Sequence, residues 1–415
     1  MTDYDVAIAG AGIVGMSTAL WAQRRGHKTL LVDPNPPGSG ASFGNAGTLA
    51  TYACLPVNDP SVLTSLPALL FGKNSPLAIS YRHALKNPRW MLSFLANCSA
   101  KRSHEISGEL ARLLSHADAG INPLIDEAGA EDLVVSAGQL SIWSSKSGAD
   151  SAARGLALRR SHGVLFEELT TEEARTMEPH LALPVARAVF YPTARHITDP
   201  QELVRRMHER FEELGGQTLA QQVQRATPEA DRVMIETGAE TIQAGKLVVA
   251  SGAFSGRIPG VGTDRLPLGT ERGYHLMFAS EAHRISRPVG WAEGGFYAVP
   301  MDQGLRIAGT VEIDAVHKPA NPKRIAYLKR RAEDMFGNLP QPDSHWLGRR
   351  PTMPDSLPVI GTSPESMNVI HAFGHQHLGL TLGGITGRIA VDLVEGRQPN
   401  LDISGFRSDR RFLRL

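Results

Sequence analysis

The residues Gly10-Ala11-Gly12-Ile13-Val14-Gly15, with Asp33 further on, carry the spacing that chemistry on a bound dinucleotide requires. Gly10 permits a tight turn, Gly12 lets backbone approach a diphosphate, and Gly15 lets a helix lie close on a strand. A helix beginning at Ile13 and Val14 would point free N–H groups and a partial positive charge at the phosphates. Asp33 stands where an acceptor for a ribose 2′-hydroxyl is needed. A second small-residue loop, 38–47, follows directly and holds Ser42, Asn45, Ala46 and Gly47. A nicotinamide cofactor has no particular use for such a loop. A flavin dinucleotide is long and bound extended, so backbone must come close along much of its length.

Other reactive side chains are sparser. His375 and His377 flank Gln376 in a glycine-rich tail, 374–384. No nearby carboxylate or cysteine set completes a metal-ligand group, so no metal is expected. One of the two histidines is expected to face a substrate or its outgoing proton, and the other to pack structurally. Cys54 and Cys98 have neither CxxC nor metal spacing and read as incidental thiols. No Ser-His-Asp or Cys-His set is present.

The elements that must position these residues are legible from periodicity. Tyr4–Ala9 and Thr29–Val32 read as apolar strands around a helix. Residues 60–130 read as helical, divided by prolines. Leu133–Val135 and Gln139–Trp143 read as strands. Asp199-Pro200-Gln201-Glu202 is a helix start, with Asp199 as N-cap and Pro200 in the first turn, and Gly215-Gly216 ends that helix. Strands follow at 232–236 and 246–250, the second leading into Ser251-Gly252-Ala253. Longer strands are expected at 271–278 and 291–312, and a helix at 323–336. The tail reads as a strand, 369–372, a glycine loop, and a helix from Thr386 to Glu395. A helix N-terminus after that loop would favour the negative charge a flavin gains at its C2 carbonyl on reduction.

At 415 residues the chain exceeds a single core and should form two domains. Its net charge of +1 gives no argument for nucleic acid or an anionic surface. No signal peptide and no membrane-length apolar run is visible, so a cytoplasmic protein is expected. Two apolar runs, Leu66–Phe71 and Trp90–Leu95, fit either a buried helical subdomain or a surface that meets the inner membrane or an electron acceptor.

Taken with their order, several segments make a family visible. Gly10–Gly15 with Asp33, Gly40–Gly47, Ala250–Gly252, Gly348-Arg349-Arg350-Pro351 with Pro358-Val359-Ile360-Gly361, and Gly374–Gly387 span the chain end to end. The chain resembles the D-amino-acid oxidase and dehydrogenase superfamily of FAD enzymes, which includes glycine and sarcosine oxidases. It looks most like the bacterial D-amino-acid dehydrogenases, including those acting on D-proline and cis-4-hydroxy-D-proline. The resemblance implies α/β and α+β architecture: a Rossmann-like FAD-binding domain (1–55, 190–265 and 345–415) interleaved with a substrate domain (56–189 and 266–344) on a large mixed antiparallel sheet.

The resemblance also implies site roles. Ser42, Asn45, Ala46 and Gly47 would line the diphosphate and the ring edge. Val223 would offer backbone to the adenine, and Ser251 and Gly252 would also bind the cofactor. Leu378, Gly379, Leu380 and Thr381 would cap the pyrimidine end of the flavin. Arg350, in the Gly-x-Arg-Pro segment, would clamp a substrate carboxylate bidentately and fix Cα–H over flavin N5. Tyr274 is a second candidate for substrate contact, set against the alternative of a strand tyrosine packed in the sheet. Where glycine-oxidase-like members carry a second arginine, this chain has His377. The implied reaction is oxidation of an amino acid at Cα, with electrons passed to a quinone, an electron-transfer partner or O2, in a chain open to oligomer formation. A glycine- or sarcosine-type amine oxidase and a catalytically silent FAD subunit of a heteromeric complex are the alternatives.

Overall fold

The computed structural model describes residues 3–63 and 75–412. In the first sheet, Tyr4–Ala9 lies between Thr29–Val32 and Thr241–Val249, parallel to both. Gln217–Leu219 adds outside Thr29–Val32, and Ser366–Phe373 runs parallel to Thr241–Val249. At its centre Val6–Ala9, Leu30–Val32 and Leu247–Val249 are continuous apolar stretches because both faces are covered. Val6 and Ile8 enter the core beneath the helices Ile13–Arg24 and Gly379–Val394. Ala7 and Ala9 face the opposite core with Val223, Val233 and Val249. The Rossmann-like unit anticipated from the first glycines is therefore built from both ends and the middle of the chain.

The second sheet is the larger and mostly antiparallel. Its order is Ser344–Thr352, Gly269–Phe278, Gly304–Ile313, Phe296–Met301, Val289–Trp291, Gln139–Trp143, Arg187–Tyr191 and Glu167–Leu169. The helix Pro322–Phe336 covers one face, packing Leu328, Ala332 and Met335 on Tyr274, Leu276 and Phe278. The other face looks towards the first sheet. The strand Ser344–Thr352, expected with the dinucleotide-binding part, instead forms an edge of this sheet. Pairing with Gly269–Phe278 makes Arg350 the direct cross-strand neighbour of Glu271.

Two local expectations met different outcomes. Asp199 caps the helix Pro200–Glu213 as anticipated, accepting from the N–H groups of Gln201 and Glu202 at 3.0 and 3.1 Å. The tail helix starts at Gly379, seven residues before the expected Thr386. Its glycines, read as loop, are packing devices. A Cβ on Gly384 would lie 2.5 Å from Gly120 carbonyl carbon, and one on Gly387 2.7 Å from Ser17 backbone. The indole of Trp21 closes the crossing by donating to the carbonyls of Gly120 and Gly384. Helical backbones that approach this closely admit only glycine at the crossing.

Of the two apolar runs, Leu66–Phe71 lies outside the described residues. Trp90–Leu95 belongs to the helix Pro88–Ala96, where Phe94 is buried and Trp90 stacks on it, while Leu92 and the nearby Leu85 stay exposed. Among the described residues no helix is long and apolar enough to cross a membrane. Cys54 and Cys98 are both free and buried.

Candidate active site

A cavity of about 850 Å³ lies between the two sheets and draws its walls from both. Its floor on the first sheet is the turn after Tyr4–Ala9. Gly10 has φ +113°, and a Cβ there would lie 2.6 Å from the Ala250 carbonyl oxygen. A Cβ on Gly15 would fall on the Gly10 carbonyl, so this glycine is what lets the helix sit on the turn. Gly12 differs. Its nearest neighbour would be the Ser42 hydroxyl at 3.6 Å, which leaves its backbone open to the cavity. Ile13 and Val14 line the same wall.

Asp33 organises this end. Its Oδ2 accepts from the Ala11 N–H at 2.9 Å and its Oδ1 from the Asn35 N–H at 2.9 Å, while the carboxylate borders the cavity. The second loop folds over the first: Ser42 Oγ accepts from the Ile13 N–H at 3.0 Å. A buried guanidinium holds that loop from behind. Arg306 donates to the carbonyls of Phe43 and Asn45 at 3.1 and 2.7 Å, and His275 Nδ1 meets the Gly44 carbonyl at 3.2 Å. Burial lowers the Arg306 pKa to about 10, and the ring of His275, buried and beside Arg306, is held near 4. Gly44 rests on the face of Trp346, whose ring a Cβ would overlap.

Ser42, Asn45 and Ala46 line the cavity, as do Val223, Ser251, Gly252, Leu378, Gly379 and Leu380. Gly47 and Thr381 do not. Gly47 has φ +72° and turns the chain against Ile197, with its N–H on the Asn45 side chain. Thr381 ties strand to helix, accepting from the Ala50 N–H and donating to the Thr48 carbonyl. Both sit one layer behind the wall.

The larger sheet supplies the polar side. Arg350 lines the cavity over Gly273, where any Cβ would strike its guanidinium. Its Nη1 donates to the Thr310 carbonyl at 2.9 Å. Thr310 is a β-branched residue at φ +59°, a conformation that costs about 1–3 kcal/mol and recurs at functional sites. Burial lowers the Arg350 pKa, and the charge of Glu271 opposes that effect.

The two histidines take different surroundings. His375 Nε2 meets the Thr386 hydroxyl at 2.8 Å, and burial takes its pKa to about 3. His377 opens on the cavity. Its side chain is exposed to that space, and its depth in the molecule, then the charge of Arg350, lowers its pKa to about 4. Between them Gln376 is held at φ +51° by its N–H on the Pro351 carbonyl. No cluster of three or more His, Cys, Asp or Glu suited to a metal occurs among the described residues.

Tyr274 is a correction. It does not reach the cavity: its hydroxyl donates to Glu312 at 2.6 Å and accepts from the Asn321 N–H at 3.1 Å, on the opposite face of the sheet. Side chains alternate along a strand, so Glu271, Gly273 and His275 take one face and Arg272 and Tyr274 the other. Burial and the Glu312 hydrogen bond push the tyrosine pKa up to about 12. Glu271, on the cavity face of this strand, is among the lining residues that sequence reading missed, with Tyr52, Tyr297 and His317. Its signal was parity with the glycine under Arg350, which no sequence pattern reveals without the strand pairing.

A glycine cradle, a helix N-terminus, an acid at the far end and a second loop over the first suit one long diphosphate-bearing group. The family profile described as FAD dependent oxidoreductase (DAO) matches residues 5–393. The chain belongs to the DAO family of FAD-dependent oxidoreductases. A D-amino-acid oxidase from Bradyrhizobium diazoefficiens is 33% identical over 419 residues, covering 98% of this chain and 99% of that protein. Among solved structures, glycine oxidase from Geobacillus kaustophilus superposes with a TM-score of 0.79 at 23% identity, covering 99% of this chain and 100% of that one. L-proline dehydrogenase from P. horikoshii does so with a TM-score of 0.73 at 17% identity, covering 98% and 97%. FAD is the cofactor of this oxidoreductase, and the open backbone at Gly12 between the two loops fits it.

Proposed function

We propose that this FAD-dependent oxidoreductase dehydrogenates a D-amino acid at Cα, with cyclic substrates such as D-proline or cis-4-hydroxy-D-proline in its range. The observation that carries the reading is Arg350, a guanidinium fixed by the Thr310 carbonyl on a cavity wall with its remaining N–H groups uncommitted to any carboxylate. A planar guanidinium so held can take a carboxylate bidentately and align the adjacent Cα–H. FAD, when bound, supplies the acceptor for the hydride that leaves Cα. The chain's own work is placement. Gly10, Gly12 and the N-terminus at Ile13 and Val14 would hold the diphosphate, Asp33 the ribose, and Val223 the adenine end. Ser42, Asn45 and Ala46 would run along the cofactor, and the N-terminal turn at Leu378–Leu380 would favour negative charge at the flavin. No side-chain nucleophile is required if the substrate amine enters neutral. His377, in place of a second arginine, argues against a glycine-type carboxylate clamp with two guanidiniums.

The test is anaerobic reduction of the purified flavoprotein by D-proline, cis-4-hydroxy-D-proline, D-alanine, their L-enantiomers, glycine and sarcosine. Bleaching of the flavin band by D-amino acids ahead of L-amino acids is expected. Preference for glycine or sarcosine would favour an amine oxidase instead, and no bleaching would favour a silent FAD subunit. Repeating the active pair with O2, a quinone and a dye identifies the electron acceptor.

A further inference from the structure

Glu271 is a carboxylate that the described contacts leave unused. It is 2% exposed, it borders the cavity, and its Oε1 has no hydrogen-bond partner among the described residues. It stands directly across the strand pair from Arg350, on the same face. The two groups feel each other's charge without a hydrogen bond between them, because Arg350 is drawn to the Thr310 carbonyl. A buried carboxylate with an unpaired oxygen is costly, and folds keep such groups where something else completes them. Burial raises its pKa to about 6, with Arg350 and the Thr352 hydroxyl opposing the rise.

We infer that Glu271 receives the amino group of the substrate, beside the guanidinium that receives its carboxylate. An α-amino acid carries an amino group and a carboxylate on one carbon, and a carboxylate and a guanidinium side by side on one sheet face complement both. Glu271 so placed accepts hydrogen bonds from the amine N–H groups through the oxygen that the protein leaves unpaired. The inference rests on the proposed amino-acid oxidation and adds the residue that separates amino acids from plain carboxylates. The competing account is a structural counterion that only balances the charge of Arg350.

The test compares two ligands of one shape on the oxidised holoenzyme. D-proline is scored by the concentration that half-saturates anaerobic flavin reduction, and cyclopentanecarboxylate, which lacks the amine, by the perturbation of the flavin spectrum. D-alanine and propionate replace them if the wild-type protein prefers an open-chain substrate. In Glu271→Gln the half-saturating amino-acid concentration is expected to rise about tenfold or more, in keeping with loss of a charge-assisted hydrogen bond. The carboxylate should bind as well as before or better, since Arg350 loses a competitor. Equal weakening of both ligands, or no change in either, overturns the assignment. If Glu271→Gln does not retain FAD, Glu271→Asp decides by the same criterion: a selective loss of amino-acid affinity supports it and a parallel loss overturns it. A wild-type flavin that bleaches while the variants show no selectivity sinks Glu271 alone. A wild-type flavin that no amino acid bleaches sinks the proposed function with it.

Discussion

At the scale of the residue, Arg350 and Tyr274 illustrate what a strand hides. Arg350 was legible because it sits in a motif, Gly348-Arg349-Arg350-Pro351, whose glycine and proline flank it regardless of pairing. Tyr274 had only its neighbours Arg272-Gly273 and His275, and a one-residue error in parity puts a side chain on the wrong face of a sheet. Its hydroxyl instead joins Glu312, which also meets Arg272 at 3.1 Å. Tyr274→Phe is therefore expected to leave substrate kinetics near wild type while costing stability by about 1–2 kcal/mol, the usual cost of a hydrogen bond lost from a buried pair. Steady-state kinetics alongside thermal melting checks this. A large change in KM with no change in melting would return Tyr274 to the site.

At the scale of the element, the tail helix Gly379–Val394 shows why glycine is ambiguous in sequence. Glycine permits loops, and it also permits helices to touch backbone to backbone. Gly383, Gly384 and Gly387 face Ile13, Gly120 and Ser17, none of which is near them in the chain. No local pattern announces a partner so distant, so sequence alone puts the helix start too late. The same helix carries Leu378–Leu380 at its N-terminal end on the cavity. Gly384→Ala must push the helix off Gly120 and is expected to destabilise the protein by roughly 1–3 kcal/mol, as overpacking does. It should also weaken FAD retention, because the turn bordering the cavity moves with the helix. Differential scanning fluorimetry with a parallel FAD dissociation assay reads both; unchanged melting and retention would show that the crossing can relax.

At the scale of the whole molecule, two sheets made of interleaved segments enclose one cavity, and neither sheet is continuous in sequence. The first glycine loop and its strands were legible because that unit is local. The assignment of Ser344–Thr352 to the larger sheet was not, since it depends on a pairing with Gly269–Phe278 across residues 279–343. The interleaving also buries titratable side chains between layers. His371 is fully buried with Nε2 on the Val261 carbonyl at 2.8 Å, and burial holds its pKa near 4 against an ordinary 6.5. Above pH 6.5 neither folded nor unfolded protein protonates it. As pH falls from 6.5 towards 4 the unfolded chain takes the proton first, so stability present above 6.5 is lost. His371→Gln should make that loss shallower, by up to roughly 3 kcal/mol on the linkage of pKa to free energy. Denaturant unfolding of the holoprotein at pH 7 and pH 4.5 measures it; an equally steep loss in the variant would assign the acid sensitivity elsewhere.

One guanidinium joins these scales, placed by a motif, fixed by a strained threonine carbonyl and set on a cavity between two sheets. The most direct test of its role is anaerobic titration of wild-type protein and Arg350→Ala, each with FAD bound, against the amino acid that best reduces the wild-type flavin. Both are expected to retain FAD; the wild-type flavin band should bleach, and the variant's band should persist at concentrations that bleach the wild type completely. Equal bleaching of both proteins would contradict that role.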